Sequence, residues 1–392
     1  MISALKFGPL VWSNLRRRKA RTLFTFLSIV IAFVLFAYLA AVKTAFRAGI
    51  DVAGADRLFT TQKTSIIQPL PLSYLEKIRA VPGVVEVIHA NWFGGNYQNP
   101  NTGFQGVFQA PVEPEAYLAM YPEFLLPADQ KAAWIADREG AIVGRKTAER
   151  YGWKVGDRIP VQAPFFNRKQ GGERLWEFNL RGIYDGREKG TDTTQFLFHF
   201  DYFDEARQYG KGMVGWYIVK IADPKATARV GAAIDAQFEN SPFETKTVTE
   251  KALVQSFADQ IGNIGAIITW ILAAVFFTLL LVAGNTVAQS VRERTAELAV
   301  LKTLGFTHGQ VLGLVLAESC LTAIVGGGAG LVLGALAIRG GDPTGGFLPV
   351  FFFPGRDVVW GAVFVVALGF VTGILPALQA MRLRIVDALR RV

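Results

Sequence analysis

Four stretches of the chain run without a charged side chain for about the thickness of a bilayer: Thr22 to Val42, Gln260 to Val291, Ser319 to Ile338 and Val358 to Met381. A spanning helix needs ~20 mostly apolar residues, so each stretch can cross once. The first and second are separated by a long polar segment whose apolar residues recur at the short spacings of a water-soluble domain. The pattern predicts one span, a large domain, then three spans. As ranges, it gives an N-terminal interfacial segment at 1–21, a first span at 22–45 and a domain at 46–258. A second span at 260–290, a loop at 291–310 and a third span at 311–338 follow. A short loop at 339–356, a fourth span at 357–381 and a tail at 382–392 complete the chain.

Inside the large domain, Asp56–Thr64 reads as a strand. Leu72, Leu75, Ile78 and Val81 fall at helical spacing, Pro82-Gly83 ends that helix, and Val84–Ile88 reads as the next strand. A matching unit recurs late: a strand at Val214–Ile221, a helix over Pro224–Phe238 and a strand at Glu244–Val248. Two β-α-β units far apart in sequence fit a split β-α-β lobe with a second lobe inserted between them. The insertion, about 105–212, has strand signals at Gly140–Val143, Arg158–Gln162, Trp176–Tyr184 and Thr194–Phe200, punctuated by Gly and Pro. It reads as a small all-β lobe. Phe196, Phe198 and Phe200 alternate with Leu197 and His199. They make either an aromatic face packed in that lobe's core or an apolar surface for a ligand or partner. The expected fold class is membrane α-helical, with four transmembrane helices in a 1+3 order and a large α+β extracytoplasmic domain. That domain is a split β-α-β lobe plus an inserted β-rich lobe.

Charge fixes an expected orientation. Residues 1–21 hold six basic and no acidic side chains, and 382–392 hold four basic and one acidic. The 292–310 loop has three basic and two acidic, while the 217 residues of 43–259 balance at 26 of each. The excess therefore lies at helix ends that a four-span topology puts on one side, which the positive-inside rule makes cytoplasmic. Such clustering argues against nucleic acid as the partner of a net +9 chain. Leu5, Pro9, Trp12 and Leu15, followed by the basic run Arg16 to Arg21, read as a segment lying on inner-leaflet lipid. The N-terminal apolar run is long, begins late and has no small-x-small site after it, so it is expected to stay as an uncleaved anchor.

Candidate chemistry is sparse. The single cysteine, Cys320, falls inside the third span, so no intrachain disulfide is possible. Gly140-Ala-Ile-Val-Gly144-Arg-Lys146-Thr147 looks like a phosphate loop but has the wrong spacing, and no other Walker-like segment exists. His89, His199 and His308 lie far apart, and none has metal-ligand spacing with Cys or Glu. The chain is therefore expected neither to catalyse a reaction by itself nor to bind a metal or cofactor. Glu318 is the one ionisable residue near a span interior, and it is expected near the cytoplasmic end of the third helix, paired with a basic residue. Gly326, Gly330 and Gly334, and Gly369 and Gly373, recur at four-residue spacing, which lets helices approach closely. They serve packing within the bundle or a dimer seam.

After the second span the chain reads Glu293-Arg294-Thr295-Ala296-Glu297-Leu298, then Leu301-Lys302-Thr303-Leu304-Gly305. Leu298, Leu301 and Lys302 share one helical side, and Gly305 is a natural stop. A short amphipathic helix at this place can dock into a soluble partner's groove. The segment resembles the loop of the MacB/FtsX-type ABC transporter permeases. Asn14–Thr22 (NLRRRKART) is similar to that family's basic approach to the first span, and Leu316-Ala317-Glu318-Ser319 to its Glu-Ser at the third. Gly373-Ile374-Leu375-Pro376-Ala377, Met381-Arg382 and Val386-Asp387-Ala388-Leu389-Arg390 resemble its C-terminal signature. Val81-Pro82-Gly83-Val84 and Gly152-Trp153-Lys154-Val155-Gly156-Asp157 resemble recurrent outer-domain segments. Ala299 and Phe306 depart from it, standing where members more often have Gly and Ala.

The resemblance implies a permease subunit of an ABC complex in a bacterial inner membrane, with both termini cytoplasmic. It implies a separate ATPase that carries the ATP and Mg and a second copy or paralogue, and it leaves open a periplasmic adaptor. Glu293, Arg294, Thr295, Glu297, Leu298, Leu301, Lys302, Leu304 and Gly305 are the expected ATPase-coupling residues. Export or extraction of a cargo follows from that reading. The alternatives are an FtsX-like regulator of an outer hydrolase and an ATPase-free anchored receptor or scaffold.

Overall fold

A computed structural model of the chain describes residues 19–52, 54, 56–97, 107–169, 173–188, 190–260, 264–341 and 350–382. Leu5, Pro9, Trp12 and Leu15, the basic run up to Arg18, and the Val386–Arg390 signature lie outside the described residues. Along the chain, α1 (Lys19–Val52) is followed by β1 (Arg57–Gln62), β2 (Leu70–Pro71), α2 (Tyr74–Arg79) and β3 (Val84–Ala90). Next come β4 (Gln109–Val112), α3 (Pro114–Met120), β5 (Phe124–Leu125), α4 (Ala128–Ala136), β6 (Gly140–Gly144) and α5 (Arg145–Tyr151). Then follow β7 (Arg158–Gln162), β8 (Leu175–Gly186), β9 (Phe196–His199), α6 (Phe200–Ala206), β10 (Met213–Val214) and β11 (Trp216–Ile221). A 3₁₀ turn at Pro224–Ala226 leads to α7 (Thr227–Gln237), β12 (Thr245–Thr249) and α8 (Glu250–Gln260). The last elements are α9 (Ile264–Glu293), α10 (Thr295–Thr303), α11 (His308–Arg339) and α12 (Gly355–Met381). Two compact units result: residues 1–44, 263–343 and 351–392 in one, and 45–262 with 344–350 in the other.

The helical unit holds four helices long and apolar enough to cross a membrane: Arg21–Ala45, Gly265–Glu293, His308–Arg339 and Gly355–Met381. Glycine decides how closely they pack. A Cβ on Gly330 would lie 2.6 Å from the Val30 carbonyl oxygen, and one on Gly334 would lie 2.6 Å from the Ala37 Cβ. Gly326 faces Ile29 in the same way, so one stripe of α11 receives α1. On α12, a Cβ on Gly369 would lie 2.7 Å from the Cys320 Cα, and one on Gly373 would lie 2.8 Å from the Ser319 Cβ. All five glycines thus lie against the chain's own helices, the arrangement that small residues permit between spans. Ser319 Oγ donates to the Gly369 carbonyl at 2.8 Å and lies 3.0 Å from Thr372 Oγ1, satisfying polar atoms among apolar ones. Buried Phe33 and Phe36 pack edge-on against each other and against the partly buried Phe276, and the more exposed Phe364 contacts Phe36 and Phe276.

The other unit is built on a ten-stranded sheet in the order β12-β1-β11-β3-β4-β9-β6-β8-β5, with β7 also on β8. β1 and β3 both pair antiparallel with β11 between them. β11 and β12 likewise flank β1, so each β-α-β unit is split by a strand of the other. This is the expected split β-α-β lobe, and α2 and α7 cover it through buried Ile78, Val230 and Ile234.

The insertion departs from the all-β expectation. Among its described residues it carries four helices, α3 to α6, each only seven to nine residues long. Pro114 opens α3, Trp134 of α4 is fully buried and donates to the Gly140 carbonyl, and Gly152 at φ +69° stops α5. The inserted stretch also continues the same sheet. Ala90 pairs with Val112, and the Phe93 amide donates to the Gln109 carbonyl at 3.2 Å. The strand expected over Val214–Ile221 is interrupted at Gly215, where a Cβ would meet Asn91 Oδ1 at 2.8 Å. Phe196, Phe198 and Phe200 are core residues of one face, and Leu197 is buried on the other. Phe93 anchors that aromatic core, ringed by Phe166, Trp176, Phe178, Phe198 and Phe203.

Next to the junction between the two halves of the sheet lies His89, 2% exposed, edge-on to Phe200 at 4.3 Å, with Glu113 at 3.8 Å. Burial pushes its pKa down to about 4, with Asp204 opposing weakly. The native ring is therefore neutral at pH values where the unfolded chain binds a proton. Stability is intact above ~6.5, the unfolded value, and declines as pH falls from there toward 4. The full cost is up to about 3 kcal/mol. Between pH 7.5 and 4.5 the unfolding midpoint of the wild-type chain is expected to fall further than that of His89→Leu. Parallel pH profiles would show that His89 contributes nothing to the acid sensitivity.

Candidate functional site

The segment that links α9 to α11 is built by local signals. Arg294 leaves helical geometry at φ −109°, ψ 17°, which ends α9 and starts α10. Thr295 Oγ1 donates back to the Arg292 carbonyl at 2.8 Å, tying the bend. At the other end Gly305 adopts φ +97°. Its amide donates to the Lys302 carbonyl and that of Phe306 to the Leu301 carbonyl, both at 3.1 Å, which is the Schellman pattern. Thr307 and Gln310 then form a reciprocal capping box that opens α11.

The two faces of α10 differ. Leu298 and Ala299 are buried, and Leu298 clusters with Val291, Val311, Val315, Ala377 and Ala380, with Leu301 and Phe306 packed against them. Lys302 Nζ donates to the Met381 carbonyl at 2.9 Å, a cation at the C-terminus of α12, and burial pulls its ammonium below the ordinary lysine value. Glu297 is exposed, as are Val300 at 47% and Leu304 at 73%. Of the residues expected from sequence to couple, Leu298 and Leu301 face the bundle. The outward stripe is Glu297, Val300 and Leu304, at i, i+3 and i+7. Val300 did not stand out in the sequence because 297/300/304 and 298/301/302 are both valid helical spacings.

Ion pairs hold the ends of this segment. Arg294 Nη1 donates to Glu318 Oε2 at 2.7 Å, and Glu297 lies 3.6 Å from Arg294 Nε. Glu318 of α11 thus has the basic partner expected for it. Arg21 Nη1 of α1 donates to Glu293 Oε2 at 3.0 Å, and Gln289 Nε2 reaches Glu293 Oε1 at 3.3 Å. A cavity of about 240 Å³ opens here, lined by Arg21, Thr25, Ser290, Glu293, Arg294 and Glu318 among others. Arg21 was legible only as part of a basic run. Its pairing with Glu293 joins residues 272 apart, which no local pattern reports. Among the described residues no group of His, Cys, Asp and Glu could hold a metal ion. The arrangement is suited to mechanical work: a rigid helix with an exposed apolar-acidic stripe, fixed by packing to α11 and α12 and by charge to α1 and α11.

The MacB-like periplasmic core domain family matches residues 22–237, more than half of the chain, and the FtsX-like permease C-terminal family matches 263–385. An uncharacterized ABC transporter permease of Methanocaldococcus jannaschii, MJ1507, is 21% identical over 402 residues, covering 97% of this chain and 96% of its own. The uncharacterized ABC transporter permease YknZ of Bacillus subtilis is 31% identical over 159 residues, a match that spans only 40% of each chain. The crystal structure of the periplasmic region of MacB from Actinobacillus actinomycetemcomitans aligns to 53% of this chain and 95% of its own, with a TM-score of 0.38 and 11% identity. With both family matches falling in order along it, the chain belongs to the MacB/FtsX-type ABC transporter permeases.

Proposed function

We propose that this chain is the membrane subunit of an ABC complex that transmits ATP-driven movement from a separate cytoplasmic ATPase to the outer domain, for export or extraction of a cargo handled outside the spans. The observation that carries the reading is the outward stripe Glu297, Val300 and Leu304 on a helix whose other face is locked into the bundle. The sequence has no Walker-like loop of its own, so hydrolysis is assigned to the partner. The basic excess at the termini and in the 292–310 loop supports a cytoplasmic position for α10.

Closure of the ATPases presses on Glu297, Val300 and Leu304. The load passes through Leu298, Leu301 and Phe306 to α11 and the end of α12. The Arg294–Glu318 and Arg21–Glu293 pairs carry it to α11 and α1. From the spans it reaches the outer domain along the two covalent connections, from α1 toward β1 and from α8 to α9. A second copy or paralogue opposes the first, and an outer adaptor fits the export reading. Apart from Glu318, which is paired with Arg294, the charged residues of the spans lie at their ends, which supports transmission over a charged conduit.

The test is purification of the tagged full-length chain in mild detergent, with mass spectrometry of its companions. A nucleotide-binding subunit at near-equal amount, with ATPase activity in the eluate, is the expected result. Folded chain that never retains such a subunit, even after cross-linking in the membrane, contradicts it.

A further inference from the structure

The outer domain contains a buried arginine that neither the fold nor the coupling segment accounts for. Arg57, at the start of β1, is 6% exposed. Its Nε donates to Glu250 Oε2 at 2.6 Å, and its Nη2 donates to Glu123 Oε1 at 2.7 Å. Nη1 donates to the Met120 carbonyl at 3.1 Å, and the guanidinium lies 4.4 Å from the centre of the Tyr121 ring. Glu250 also accepts from the Gly54 amide at 3.1 Å and from Tyr121 Oη at 3.3 Å. Burial works to lower the Arg57 pKa but is outweighed by Glu123 and Glu250, so the guanidinium stays charged. The same burial pushes the Glu250 carboxyl above the ordinary carboxylate range despite that contact.

The chain positions of these groups give the cluster its meaning. Gly54 lies two residues past the end of α1, and Glu250 is the first residue of α8, which leads into α9. Met120, the last residue of α3, and Tyr121 and Glu123, between α3 and β5, belong to the inserted stretch. One planar fork therefore joins the points where the chain leaves the first span and approaches the second to the inserted lobe. Among the described strands, the two halves of the domain meet at the pair Ala90–Val112. A buried ionic cluster is a poor source of stability, since apolar residues of similar size often do as well or better. Its geometric strength is the bidentate fork, which lysine cannot reproduce.

We infer that Arg57 is a positioning residue that clamps the inserted lobe to the two chain ends entering the spans, so that movement at Gly54 and Glu250 carries Met120–Glu123 with it. This rests on the proposed transmission function for its purpose, although the clamp itself can be measured without nucleotide.

The experiment uses the full-length chain in lipid nanodiscs with Cys320→Ala. Spin labels at Ala80→Cys and Val155→Cys report the distance between the split β-α-β half and the inserted half. Without nucleotide, the parent chain is expected to give one narrow distance. The apolar triple variant Arg57→Met, Glu123→Leu, Glu250→Leu is expected to keep its thermal midpoint but to broaden the distribution at least twofold. A folded triple variant with a distribution as narrow as the parent's overturns the clamp. Should the triple variant not fold, the isosteric Glu123→Gln is read in the same way, with broadening expected and an unchanged width decisive against it. Adding the ATPase and ATP then tests the transmission reading separately. A parent chain whose outer domain ignores nucleotide counts against that reading, while the resting widths still decide the clamp.

Discussion

Val300→Asp combined with Leu304→Asp is expected to abolish ATPase binding while leaving the chain folded. Both side chains lie on the outward stripe of α10 and contribute nothing to the cluster beneath it. Burying a Val or Leu side chain against a partner is worth roughly 1.5–3 kcal/mol, and a buried unpaired carboxylate adds a further penalty. Each substitution should therefore weaken the complex by at least about tenfold, and the pair by at least about a hundredfold. The readout is ATPase retained per mole of chain in detergent, alongside the unfolding midpoint. Leu298→Asp is the control of opposite character. Leu298 is 2% exposed among Val291, Val311 and Val315, so its replacement should lower the midpoint. Equal ATPase retention by the Val300/Leu304 variant and wild type would remove this stripe as the docking face.

Glu318→Ala is expected to destabilise strongly the end of the bundle that carries α10. The Arg294–Glu318 pair is largely buried, with side-chain exposures of 19% and 18%. Removing one partner of a buried pair costs about 3–5 kcal/mol, because the other charge is left uncompensated. The residual exposure puts the expectation at the low end, roughly 3 kcal/mol. Arg294→Ala should cost a similar amount. The Arg294→Ala, Glu318→Ala double variant should cost less than the sum of the two single losses, as coupled sites do. Denaturant titration in detergent measures all three. Strict additivity would show that the contact at 2.7 Å carries no coupling energy.

The spans and the split β-α-β lobe were legible in the sequence because each has a long repeating signal. Uncharged runs of bilayer length admit few readings, and Leu72, Leu75, Ile78 and Val81 mark a helix between two strands. The four helices of the insertion were not legible. At seven to nine residues they are too short for a periodic signal to emerge, and burial of one or two anchors such as Trp134, or Tyr117 with Met120, fixes them. The continuous sheet depends on Ala90 meeting Val112 and on Phe93 meeting Gln109, contacts that local propensity does not encode. In the segment between α9 and α11 the helix, its glycine stop and its motif were readable. Its orientation was not, because an amphipathic stretch flanked by spans can present either stripe until the ends of α11 and α12 are placed. Arg57 escaped notice for a related reason: its partners Glu123 and Glu250 come from distant segments, and a lone arginine at a strand start carries no local mark.

The central claim is that α10 and the outer domain move as parts of one machine. Hydrogen–deuterium exchange over residues 45–262, in vesicles holding the chain and its ATPase, tests this most directly when ATP turnover is compared with the nucleotide-free state. The account predicts altered exchange in the outer domain during turnover, with no change for the Val300→Asp, Leu304→Asp variant. Steady hydrolysis by the companion with an unaltered exchange pattern across that domain would contradict it.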